Sequence, residues 1–158
     1  MKKILSIIIL FLSTTTLSAN DRDVELDKLF LELKKNIPSL SSGIAQQIWM
    51  LWSTHPTDQK LTSILDEGSR LVQDQQLKRA IDVFTQAIEL DPNWAEAWNK
   101  RATVFYMIGE FQKSQNDIDK VLELEERHFG ALAGQGMVNI KLKNYDKAKR
   151  SYQKAQEI

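Results

Sequence analysis

The feature that most constrains this chain is a self-similarity at a shift of 34 residues. Laid against itself at that shift, the sequence superposes Ile64, Trp98 and Leu132, then Gly68, Ala102 and Gly136, then Ala80, Ser114 and Ala148. The same shift aligns Phe84, Ile118 and Tyr152, and also Ala87, Val121 and Ala155. A period of this length marks a helix–turn–helix unit whose two helices cannot bury their apolar faces until neighbouring units stack on them. The small columns have a physical reason. Where two helix axes approach to about 8–10 Å there is room for Gly, Ala or Ser but none for a branched side chain.

Apolar spacing within each period gives two helices, expected at 59–73, 77–90, 94–108, 111–124, 128–142 and 145–157. The links Asp74-Gln75-Gln76, Gly109-Glu110 and Lys143-Asn144 are short and polar or Gly-containing, and they reverse the chain. All six segments are then antiparallel neighbours, and the fold class is all-α.

These columns resemble the tetratricopeptide-repeat (TPR) family over residues 61–158. Unit one, 61–94, carries Gly68, Leu71, Ala80, Phe84, Ala87 and Pro92 at the family's places. Unit two, 95–128, carries Trp98, Ala102, Phe105, Ser114, Ile118 and Val121, with Glu126 where the family usually has Pro. Unit three, 129–158, is incomplete and sets Asn139 where a large apolar residue is expected. The resemblance implies a right-handed α-solenoid of stacked helical hairpins. The segments Trp98–Thr103 and Arg127–Leu132 are further similar to a group of small exported repeat proteins of alphaproteobacteria.

Ahead of the array, Leu26, Leu29, Phe30 and Leu33 fall at helical spacing in a segment closed by Ile37-Pro38. A second segment with Ile44, Ile48, Trp49, Leu51 and Trp52 follows, capped by Ser41 or Ser42 and closed by His55-Pro56. We expect residues 20–56 to be a degenerate hairpin that caps the first end of the array. Residues 1–19 read as a secretory signal peptide. Lys2 and Lys3 precede the apolar run Ile4–Leu12, and Leu17-Ser18-Ala19 offers a cleavage site. That run is about half the roughly 20 residues needed to span a bilayer. The expected location is therefore periplasmic or secreted, with no membrane span in the mature chain.

Charge and composition exclude several function classes. Lys and Arg number 21, as do Asp and Glu, so no overall field draws the chain to nucleic acid. With no Cys there is neither a disulfide framework nor a thiolate nucleophile. His55 and His128 are the only histidines, far apart, the first in a linker and the second expected in a surface turn between units. No zinc motif, nucleophile–base constellation or cofactor signature stands out, so no cofactor, no metal and no enzymatic activity are expected. The acidic run at Asp117, Asp119, Glu123, Glu125 and Glu126 and the basic C-terminal third read as solvated faces. Of the closely spaced Gly134 and Gly136, the second has its place in a small column, so Gly134 needs its own reason: close approach to a neighbour or to a ligand, with packing against a neighbour the favoured expectation.

The family resemblance places the first helix of each unit on a concave surface. It selects Ser69, Gln73, Asn99, Thr103, Tyr106, Met107, Met137 and Ile140 as partner-binding residues. Such a surface suits a peptide or an amphipathic helix, because Met and Tyr give adaptable contact area while Asn99 and Thr103 can bond a backbone. It does not match the family's clamp for a C-terminal carboxylate. Asn99 stands one position early, and Leu65 and Ser69 occupy the places of the clamp's Lys and Asn. A second surface, Ala148, Tyr152 and Ala155 on the last helix, is the expected face for self-association. The expected function is protein–protein interaction, either as an adaptor through the groove or as a structural subunit of an envelope assembly.

Overall fold

The computed structural model describes residues 19–158, so the expected signal peptide lies outside the described residues but for its last position. Eight helices follow: α1 (Ala19–Leu33), α2 (Pro38–Ser53), α3 (Gln59–Gln73), α4 (Leu77–Leu90), α5 (Ala95–Met107), α6 (Phe111–Leu124), α7 (Phe129–Lys141) and α8 (Tyr145–Gln156). No strand occurs among the described residues. Helices α3 to α8 stack as three antiparallel hairpins, α3 with α4, α5 with α6, and α7 with α8.

The three turns inside the hairpins are built alike. Gln75, Gly109 and Lys143, one period apart, each take a left-handed backbone with φ of 58°, 82° and 61°. In each, the next amide reaches back to the helix: Gln76 N–H to Leu71 O, Glu110 N–H to Phe105 O and Asn144 N–H to Asn139 O, at 2.8–2.9 Å. This is the Schellman ending, which satisfies the last carbonyls and reverses the chain. The turns between units are also equivalent. Asp91 accepts from Asn93 N–H, and Glu125 accepts from Arg127 N–H. The acidic side chain thus holds the second turn although Glu126 replaces the family's proline.

Packing follows the small columns. A Cβ added at Gly68 would collide with the Phe84 ring, and one at Gly136 would stand 2.5 Å from Tyr152 Cζ. At the third equivalent crossing, Ser114 Oγ donates to Ala102 O at 2.8 Å. Asn139, set where an apolar residue was expected, is buried and donates to Gln115 Oε1 and to Gln135 O. Asp117 does not join a solvated acidic face. It is buried and holds Arg101 with two bonds of 2.8 Å.

The N-terminal hairpin differs from expectation in two respects. First, Pro38 opens α2 rather than closing α1, because a proline at the first helical turn lacks an N–H that would be unbonded anyway and its φ is preset for a helix. Second, the hairpin does not stack on unit one. It lies along the edge from which the inter-unit turns emerge, reaching Trp94 at the end of unit one, Arg127 and His128 at the end of unit two, and Phe129 in unit three. Trp52 stacks on His128 with centroids 4.0 Å apart, and its carbonyl accepts from Trp94 Nε1. Arg127 lies over the Phe30 ring and bonds Asp27, while Ile158 packs on the hairpin's own core of Leu26, Leu29, Phe30, Ile48 and Trp52. Unit one needs no cap of the expected kind, since α3 exposes the polar Ser63, Asp66, Glu67 and Arg70.

Candidate functional site

A cleft of about 170 Å³ opens between the first helices of units two and three. From α5 come Asn99, Ala102, Thr103 and Tyr106; from α7 come Gly130, Ala133, Gly134 and Met137. Ser114 and Ile118 of α6 lie beneath. It exists because the α7 residues at the contact are small. Where a typical pair of helices would interdigitate branched side chains, Ala133 and Gly134 leave the space over Ile118 unfilled.

The glycines here are not equivalent. At Gly130 a Cβ would meet Trp49 Cη2 at 2.5 Å, so that glycine makes room for the hairpin. At Gly134 the nearest atom is Ile118 Cδ1 at 3.5 Å, an ordinary contact. Close packing against a neighbour, the reason expected for Gly134, is therefore not what keeps it small. Its missing side chain leaves the cleft floor open.

Behind the cleft lies a buried polar chain that the spacing of the sequence did not reveal. His128, expected in a surface turn, has no exposed side chain. Its Nδ1 accepts from Ala131 N–H as the cap of α7, so the ring proton sits on Nε2, which donates to Glu96 Oε2 at 3.0 Å. Glu96 also accepts from Asn99 Nδ2 at 3.0 Å, and Lys100 Nζ stands 3.3 Å from its other oxygen. Because a carboxylate only accepts, this fixes the Asn99 amide with its nitrogen turned to Glu96. Asn99 Oδ1 is left without a protein partner among the described residues. The hairpin is thereby linked to the cleft through Trp52, His128, Glu96 and Asn99. One signal in the sequence bore on this: the pair of Trp residues, Trp49 and Trp52, outside the repeat.

The structure brings together four of the eight expected groove residues, Asn99, Thr103, Tyr106 and Met137, around the cleft. Met107 and Ile140 are exposed beyond it. Ser69 and Gln73 line a separate shallow hollow on α3 with Ser63, Asp66 and Arg70. On α8, Ala148 is buried and cannot belong to an outward association face, because helix period turns it with Ser151 toward α7. Tyr152 is 36% exposed and Ala155 half-buried. His55 is also buried, with Nδ1 accepting from Asp58 N–H and Nε2 at 2.9 Å from Asp91 Oδ2. Among the described residues no cluster of His, Cys, Asp or Glu is placed to hold a metal ion, and no helix is long and apolar enough to cross a membrane.

Family models described as TPR repeat and tetratricopeptide repeat match residues 68–109 and 130–158. A TPR repeat-containing protein of Rhizobium etli is 35% identical over 114 residues, covering 72% of this chain and 55% of that one. The Hsp70-Hsp90 organizing protein 3 of Arabidopsis thaliana is 26% identical over 88 residues, covering 56% of this chain and 16% of that one. This chain thus spans about half of the first relative and a small part of the second. Among solved structures, MamA aligns with a TM-score of 0.59 at 19% identity, covering 87% of this chain and 88% of that one. The second TPR of Spaghetti, bound to the HSP90 peptide SRMEEVD, aligns at 0.60 and 22% identity, covering 62% and 91%.

Proposed function

We propose that this chain, which belongs to the tetratricopeptide-repeat proteins, is a non-enzymatic adaptor that holds a protein or peptide partner in the cleft between α5 and α7. The observation that carries this reading is the cleft itself: an open apolar hollow with Asn99, Thr103, Tyr106 and Met137 at its sides and the exposed Met107 and Ile140 beyond. Exposed Met107 and Met137 with the half-buried Tyr106 around a preformed hollow supply adaptable contact area at low cost in ordering. The HSP90-peptide complex of the Spaghetti repeat is a precedent for peptide binding by this fold and not for the ligand. Leu65, at one of the carboxylate clamp's positions, is buried.

We further propose export, with cleavage after Ala19. Edman sequencing of protein recovered from a periplasmic fraction should begin at Asn20, and an intact Met1 would refute it.

The groove is tested by crosslinked capture from an envelope extract, with wild type beside the double variant Thr103→Arg and Met137→Glu. Both side chains are exposed, so neither change should lower the melting temperature by more than a degree or two. Loss of the captured partner in the variant is expected. Undiminished capture would remove the cleft as the working surface. The second reading, association of copies through α8, rests on the exposed Tyr145 and Tyr152. A sedimentation series that stays monomeric at every concentration would end it.

A further inference from the structure

We infer that Gly134 is a specificity-determining residue: it keeps the cleft floor open for one bulky aliphatic side chain carried on an extended segment of the partner. The inference rests on the groove reading and adds the class of ligand. Its first support is the cost of the residue. Glycine within a helix is unfavourable relative to alanine, and Gly134 sits in the middle of α7. Gly68, Gly130 and Gly136 each face an aromatic ring that a Cβ would strike. Gly134 faces only Ile118 at contact distance, so the fold gains nothing from it.

Size and charge then select the occupant. About 170 Å³ accommodates one side chain the size of Leu, Ile or Met, and not a helix. No charged residue lines the cleft, so a terminal carboxylate finds no cation there and a charged side chain finds no counterion. Of the polar groups on offer, Tyr106 O–H can donate or accept, and two others are acceptors. Asn99 Oδ1 is unpartnered, and Thr103 Oγ1 spends its proton on Asn99 O. Acceptors call for N–H donors. A partner helix has already committed its amides to its own carbonyls, whereas an extended segment keeps them free. Glu96 holds the Asn99 amide in the accepting orientation.

The test uses N-acetyl-leucine N-methylamide, which presents one aliphatic side chain beside backbone N–H groups, titrated into the full chain with methyl-resolved NMR. Millimolar binding that shifts the Ala102, Ala133 and Met137 methyls is expected, with the alanine analogue about tenfold weaker. Gly134→Ala should weaken the leucine amide by about tenfold while raising the melting temperature by about 3 °C. Equal binding by wild type and Gly134→Ala, a fall in melting temperature, or no preference for leucine over alanine overturns the inference. Partner capture separates it from the groove reading. If Gly134→Ala retains a partner that the Thr103 and Met137 double variant loses, the groove stands and this inference falls. If neither variant loses it, both fall.

Discussion

The two repeat-equivalent glycines Gly68 and Gly136 show how one column of the repeat is enforced with unequal strictness. Each lies beneath an aromatic ring of the paired helix, Phe84 and Tyr152. Phe84 is fully buried, so its ring has nowhere to go when a methyl group arrives, whereas Tyr152 is 36% exposed and can swing toward solvent. Overpacking a closed site costs roughly 1–3 kcal/mol, and the alanine's helix propensity returns about 1 kcal/mol. Gly68→Ala is expected to lower stability by about 2 kcal/mol and Gly136→Ala by less than about 1 kcal/mol, read from urea unfolding. Equal losses would mean that Tyr152 is pinned as firmly as Phe84. The same column holds Ala102 in unit two, so the sequence announced the packing. What it did not announce was which ring could yield, because that depends on burial. His128 shows the same limit from the other side. Its neighbours Glu125, Glu126 and Arg127 read as a surface turn, yet stacking on Trp52 and bonding to Glu96 take it fully inside.

At the scale of elements, the six repeat helices were legible to within one residue at each end, because a period shared by three units averages out local ambiguity. The hairpin was legible as two helices but not in its place. It breaks the period, and no spacing within residues 20–56 encodes that Trp49 and Trp52 meet Gly130 and His128 some eighty residues on. The cleft was half legible. The family offset found Asn99, Thr103, Tyr106 and Met137, while the small floor at Ala133 and Gly134 emerges only when α5 and α7 are placed side by side. The turns carry a prediction of their own. Gln75 and Lys143 hold the left-handed conformation that unit two gives to Gly109, and a Cβ there costs on the order of 1 kcal/mol. Gln75→Gly and Lys143→Gly should each raise the urea midpoint, by up to about 1 kcal/mol of stability with unchanged slope. A lowered midpoint in both would show that the side chains contribute more than the strain removes.

For the whole molecule, the hairpin changes how the array should come apart. A simple stack of repeats touches only nearest neighbours, so its last unit frays independently of its first. Here Asp27 reaches Arg127 and Trp52 reaches His128 in the turn before α7, and the hairpin core takes in Phe129 and Ile158, tying the start of the described chain to that turn and to unit three. The hairpin also bonds the last residue of unit one, just before α5, through Trp94 Nε1 and Trp52 O. Unit three therefore cannot open without also exposing the buried Trp52 and leaving the Glu96 carboxylate without its histidine donor. Hydrogen exchange should accordingly find α7 protected to nearly the same free energy as α4, despite its place at the far end. Trp52→Ala removes the stacked ring and leaves a cavity, at a cost of about 3–5 kcal/mol. In that variant α7 and α8 should exchange well before α3 and α4, turning one cooperative unfolding transition into two. If α7 of the wild type already exchanges far faster than α4, the hairpin is an ornament on an ordinary repeat stack. If it does not, the geometry of Asn99 at the cleft is held by the same contacts that hold the molecule together, and partner binding should weaken wherever the hairpin is loosened.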